Sequence, residues 1–173
     1  MMTLSRLIII VLFVSLNQFT FGQKSINCKL DTFNIITNQN LNNFLYKLKF
    51  ESLREYKTLN AIPSFIKETL DCLTGGDFSL CNPDQNFKNS CVSPKNLPQR
   101  QLQYLCIGEN IFGMIYLKGT IVVETRIILI MFNDETIQDI WVGYDLSGKA
   151  RNRNQLINVL KKKRNKIVDF GFL

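Results

Sequence analysis

The sequence predicts an α+β fold: an antiparallel β-meander of three to five strands, with two N-terminal helices and one C-terminal helix packed on it. Three observations predict it. The stretch from Ile111 to Asp145 is three apolar runs, rich in β-branched residues and parted by short gaps of turn-forming residues, Lys118-Gly119 and Asn133-Asp134-Glu135; such spacing signals successive hairpins. Two stripes of apolar residues at helical spacing precede these runs and a third follows them. The middle run is apolar on both faces at its far end, and a strand dry on both faces must be covered on both.

Alternation assigns the faces. In the middle run Ile121, Val123, Thr125, Ile127, Leu129 and Met131 share one face. The other face carries Val122, Glu124 and Arg126, then Ile128, Ile130 and Phe132, so it is expected to be wet at its start and dry at its end. In the third run Ile137, Asp139 and Trp141 share one face, and Ile140, Val142 and Tyr144 the other.

Of the helices, Leu41, Phe44, Leu45 and Leu48 mark the first. Ile62, Phe65, Ile66, Thr69, Leu70 and Leu73 give a cleaner stripe for the second. Pro63 fits its first helical position, where a missing N–H costs nothing, and Gly75-Gly76 ends it. Leu156, Ile157 and Leu160 mark the third, with Asn152 or Asn154 as its cap and the Lys161–Arg164 run as its last turn. The alternating residues from Ile167 to Phe172 read as a closing edge strand.

The chain opens on a processing segment. Arg6 precedes an apolar run from Leu7 to Leu16, and the small residues Thr20 and Gly22 suit cleavage before Gln23. The apolar run is too short to span a bilayer of ~30 Å. Residues 1–22 are therefore read as a signal peptide and residues 23–173 as one α+β domain with a cysteine-rich loop at 72–106. A secreted or periplasmic location follows, with no transmembrane segment after cleavage.

Five cysteines follow the leader: Cys28, Cys72, Cys81, Cys91 and Cys106. The last four flank a Gly-, Asn-, Pro- and Ser-rich stretch in which Pro83, Pro94 and Pro98 forbid long regular structure. In an oxidising compartment a loop of this length is stapled by disulfides. Cys72, Cys81, Cys91 and Cys106 are the disulfide candidates, with Cys28 spare or paired between chains; connectivity stays open, because five cysteines permit fifteen two-bridge arrangements. Their gaps of 9, 10 and 15 residues lack the short paired spacings of a zinc site, so no metal and no cofactor is expected.

Charge is unevenly spread. The chain carries a net +7, and residues 149–173 alone carry +7, from eight basic residues and one acid. The basic residues are Lys149, Arg151, Arg153, Lys161, Lys162, Lys163, Arg164 and Lys166. A cluster of this size attracts anionic surfaces. Export and the scarcity of aromatic residues among these cations argue against a nucleic-acid partner.

Chemistry is constrained by composition. The chain has no histidine, which removes Ser-His-Asp and Cys-His nucleophile systems and His-ligated metals. Gly143–Ala150 resembles a phosphate-binding loop, but Ala150 stands where that pattern needs a hydroxyl and Asp145 would repel phosphate. Ser64-Phe65-Ile66-Lys67 matches a Ser-x-x-Lys pattern whose companion elements are absent. Glu124, Asp139, Glu109, Asp134 and Glu135 remain as carboxylates for acid–base work, with no spacing that selects a pair. The expected function is a non-catalytic binding or interaction module that meets an unidentified protein or an anionic surface through its basic C-terminal segment, aided by the loop at Asp77–Gln99. Two alternatives are a small apolar-ligand carrier, with a pocket lined by Phe112, Met114, Tyr116 and Trp141, and a histidine-free carboxylate hydrolase.

Overall fold

The computed structural model describes residues 36–163 other than 37, 77, 91, 95, 120, 121, 146, 147 and 149, and only the backbone of 163. The expected leader 1–22, Cys28 and the closing strand from Ile167 to Phe172 lie outside the described residues. The fold is α+β: among the described residues, three α-helices lie on a six-stranded sheet. The helices are α1 (Leu41–Phe50), α2 (Ser64–Leu73) and α3 (Arg153–Lys163). The strands are β1 (Arg54–Tyr56), β2 (Leu80–Cys81), β3 (Arg100–Ile107), β4 (Ile111–Lys118), β5 (Glu124–Asn133) and β6 (Thr136–Tyr144).

The predicted meander is β4–β5–β6, and β3 extends it antiparallel to β4. The outer edge of β3 is shared: β1 pairs antiparallel with its C-terminal half, and β2 pairs parallel with its N-terminal end. The β5–β6 turn falls within the predicted Asn133-Asp134-Glu135 gap and is a two-residue loop, since Asn133 pairs with Thr136. Asp134 (φ 46°) and Glu135 (φ 64°) are both left-handed, matching the right-handed twist of the flanking strands. The β4–β5 connection is longer than expected. β5 starts at Glu124, three residues later than its alternation suggested, and Val122 and Val123 are exposed.

Each face of the sheet has its own core. On one, α1 and α3 bring Leu41, Phe44, Leu48, Leu156, Ile157 and Leu160 onto Tyr104, Cys106, Ile111, Ile115, Ile127, Leu129, Met131 and Trp141. On the other, Ile62 and the α2 residues Ile66 and Leu70 cover Leu102, Leu105, Phe112, Met114, Tyr116, Ile128, Ile130, Ile137 and Ile140. The predicted faces of β5 are therefore met at Ile127 and beyond.

Two bulges change the alternation. In β3, Leu102 pairs with Tyr116 and Tyr104 with Ile115, so Gln103 is an extra residue. In β6, Asp139 pairs with Met131 and Ile137 with Phe132, so Gln138 is the extra one. A bulge shifts the following residues by one position and reverses their faces. Ile137 accordingly joins the α2 core, not the Trp141 face to which strict alternation assigns it. Gly143 serves Trp141: a Cβ there would overlap the indole ring.

Helix ends follow their local chemistry. Pro63 is the N-cap of α2, one position earlier than expected, a shift that leaves its donor-free role intact. Gly75 (φ 70°) and Gly76 (φ 91°) end α2, with the Gly76 amide bonded to the Asp71 carbonyl at 2.6 Å. Asn152 caps α3, accepting from the Gln155 amide at 3.0 Å. At the sheet's other edge the Asn38 side-chain amide imitates a strand residue. Its Nδ2 donates to the Val142 carbonyl (3.0 Å) and its Oδ1 accepts from the Val142 amide (2.9 Å). Asn40 donates to the Asp139 carboxylate at 2.8 Å.

Candidate functional site

The basic segment is carried by α3. Leu156, Ile157, Leu160 and the preceding Ala150 are buried, so the helix is fixed to the sheet along its length. Arg153 fixes it to α1: its Nε donates to the Leu48 carbonyl (2.6 Å) and its Nη2 to the Glu51 carbonyl (2.9 Å). These carbonyls belong to the C-terminal end of α1, where orphan acceptors and the negative end of the helix dipole both favour a cation. Arg153, one of the eight predicted partner-binding cations, thus has a structural task. Arg151 is exposed and its guanidinium donates to the Ala150 carbonyl at 2.8 Å. Lys161 and Lys162 are exposed on the last turn of α3. Lys149, Arg164, Lys166 and the side chain of Lys163 lie outside the described residues.

On the neighbouring helix, Tyr46 and Phe50 are 64% and 62% exposed. Their rings lie 4.9 Å apart, and Lys49 Nζ sits 4.9 Å from the Phe50 ring centroid. Sequence reading passed over this pair. The signal was present: Tyr46 and Phe50 are four apart and off the Leu41–Phe44–Leu48 stripe, which puts both on the helix face turned from the sheet.

The four residues expected to line a pocket do not meet. Phe112, Met114 and Tyr116 belong to the α2 core, and Trp141 to the α1–α3 core; all four are fully packed. A cavity of about 330 Å³ lies elsewhere, between α2, the turn at Leu59–Ala61 and the chain leading into β2. Leu59, Ile62, Leu70, Phe78 and Leu80 form its apolar wall. Asn60, Lys67 and Asp71 supply its polar lining. The Lys67 of the Ser-x-x-Lys match is therefore at a cavity, while Ser64 is an exposed first residue of α2.

The expected wet start of β5 is largely covered. Arg126 is buried, its Nε donating to Glu124 Oε2 at 3.0 Å and its guanidinium lying 3.9 Å over the Tyr144 ring. Arg100, also buried, stacks on Phe78 at 4.6 Å, and Phe78 meets Tyr116 edge-on at 5.6 Å. Burial pushes the Tyr116 phenol up to about 12, with Arg100 and Arg126 opposing the rise. Burial lowers the Lys118 ammonium, and the same two arginines add to that effect.

Two further carboxylates, Asp139 and Asp145, have local partners. Asp139 accepts from Asn40 and is buried. Asp145 closes the Gly143–Ala150 loop on itself: its carboxylate accepts from the Ala150 amide (2.9 Å) and its carbonyl from the Gly148 amide (3.0 Å). The carboxylate takes an amide that a phosphate-binding loop would offer to its ligand. Among the described residues no group of three or more Cys, Asp or Glu side chains converges as a metal site.

The cysteines divide. Cys72 is disulfide-bonded, while Cys81 and Cys106 are free, buried thiols. Cys28 and Cys91 lie outside the described residues. Cys81 pairs across from Gln101, five residues before Cys106 on β3. At strand rise that is roughly 17 Å, far beyond disulfide reach. Two of the four disulfide candidates are thus packed as small apolar side chains. Burial raises the Cys106 thiol to about 11 and raises that of Cys81 as well.

No helix among the described residues is long and apolar enough to cross a membrane. Comparison with protein-family models, curated proteins and solved structures finds no match to this chain.

Proposed function

We propose that the protein is an exported, non-catalytic binding module that meets an anionic partner or surface through its basic C-terminal segment. One observation carries this reading: α3 is anchored by three buried apolar residues and by Arg153, and it holds Lys161 and Lys162 out to solvent at its far end. Cations on a fixed helix lose less freedom on binding than cations on a loose tail. The helix dipole favours positive charge at that end. The test is elution of the purified protein from an anionic matrix such as heparin. Changing Lys161, Lys162, Lys163 and Arg164 to Gln should move elution to markedly lower salt. Elution at an unchanged salt concentration would refute the reading.

The cavity beside α2 supports a second reading, a carrier of a small, largely apolar ligand. Its volume falls at the lower end of those seen for ligand sites, and its wall is mainly apolar. The test is uptake of an apolar fluorescent probe, which Leu70→Trp should block by filling the space. Equal uptake by the two proteins would dispose of it.

A further inference from the structure

The aromatic pair on α1 bears on which anionic partner the basic segment meets. α1 and α3 cover the same face of the sheet, so their solvent-facing sides lie on the same side of the molecule. On that side stand Tyr46 and Phe50, two of the few large apolar side chains exposed among the described residues, with Lys49 against Phe50. Lys161 and Lys162 are exposed on the neighbouring helix. Exposed aromatic rings bring no gain in water. They are favourable at a membrane–water boundary, where their flat, partly polar bodies sit at headgroup level and neighbouring lysines meet lipid phosphates.

We propose that the outer side of the α1–α3 layer docks onto anionic phospholipid membranes, with Tyr46 and Phe50 entering the headgroup region and Lys49, Lys161 and Lys162 contacting phosphate. The inference rests on the basic-surface reading and names its partner. Electrostatics alone would serve an acidic glycan or a nucleic acid equally well; the aromatic pair is what those partners do not require. The two rings lean together at 47°, with Lys49 over one of them, and do not present the parallel platforms that stack successive bases.

The experiment is sedimentation of the purified mature protein, residues 23–173, with phosphatidylcholine vesicles, with and without phosphatidylserine, alongside elution from heparin. Wild type should partition more strongly to the phosphatidylserine vesicles, and salt should weaken that binding. Tyr46→Ser with Phe50→Ser should lower partitioning about tenfold and leave heparin elution unchanged. Lys161→Gln with Lys162→Gln should lower both, by roughly fivefold per lysine on vesicles at low salt. Phe50→Trp adds a local reporter to the buried Trp141, and the emission of this variant should shift to the blue on vesicles. Vesicle binding indifferent to Tyr46 and Phe50, or emission from the Phe50→Trp variant unmoved by lipid, overturns the lipid docking while the basic-surface reading stands. Heparin and vesicle binding both indifferent to the lysine changes overturns that reading itself.

Discussion

The two faces of the sheet are covered in different ways. The α1–α3 face is closed by two helices that come from opposite ends of the described chain and are joined by Arg153, which reaches back 105 positions to Leu48. The α2 face is closed by one helix of ten residues, the turn at Leu59–Ala61 and part of the proline-rich loop. The first covering presents an exposed aromatic pair and a basic helix end to solvent; the second leaves a cavity of about 330 Å³. A helix stripe fills space along its whole length, whereas a loop broken by prolines contributes side chains only where its backbone happens to approach. Tight packing and open space thus follow from what the chain has available for each side.

Truncation should expose that difference most strongly. Phe44→Ala, at a fully buried position between α1 and the sheet, is expected to cost about 3–5 kcal/mol by chemical denaturation. Leu48→Ala on the same helix should cost more than Leu70→Ala, which borders the cavity and so has fewer neighbours to lose; we expect about 3 against about 2 kcal/mol. Equal costs for the two leucines would mean that the faces are packed alike.

Removing the tie between α1 and α3 comes next in size. Arg153→Gln withdraws a charged donor from two carbonyls, and a loss of about 1–3 kcal/mol in unfolding free energy is expected. Hydrogen exchange should quicken in the last turn of α1 and the first turn of α3, with α2 unaffected. Exchange that quickens on both faces together would show that the two layers do not act separately.

The smallest effect is alkaline. Cys106, on the α1–α3 face, has its thiol raised to about 11 by burial, against 9.0 when unfolded. The unfolded chain therefore releases this proton first. The group's contribution is complete below pH 9 and is lost as pH climbs through 11. Tyr104 and Tyr116, both raised by burial, push the same way from about pH 10. Lys118, lowered by burial, works in the opposite sense. Between pH 9 and 10.5 wild type should lose stability more steeply than Cys106→Ala, by up to about 1.4 kcal/mol per pH unit. Parallel slopes would indicate that Cys106 is not closed off from water.

Much of this architecture was legible in the residues. Three helices and the β4–β5–β6 meander were read from periodicity, because a stripe at 3.6 or 2 records which side of an element faces apolar neighbours. β3 was not assigned: it follows a proline-rich loop, and the bulge at Gln103 sends Leu102 and Tyr104 to opposite faces although they alternate in sequence as if they shared one. Arg126 was placed in water because it alternates with Glu124; in the fold Tyr144, brought alongside by β6, covers it. Of the basic segment, sequence found the charges but not the withdrawal of Arg153, since a carbonyl acceptor at the end of a distant helix leaves no mark near Arg153. The predicted pocket failed because Phe112, Met114 and Tyr116 lie on one face of the sheet and Trp141 on the other, a distinction that needs the register between strands.

The sequence by itself determined the α+β class, a hairpin turn within Asn133-Asp134-Glu135, the glycine stop of α2, and the concentration of positive charge after the sheet. These depend on residues within a turn or two of one another, where spacing and backbone preference suffice. Only the tertiary structure decided which face Ile137 joins, which cysteines stay free, where the cavity opens and that an aromatic pair stands on the same side as the basic helix end. Each of these depends on contacts between segments far apart in the chain, and a single strand bulge or a single long-range hydrogen bond is enough to redirect them.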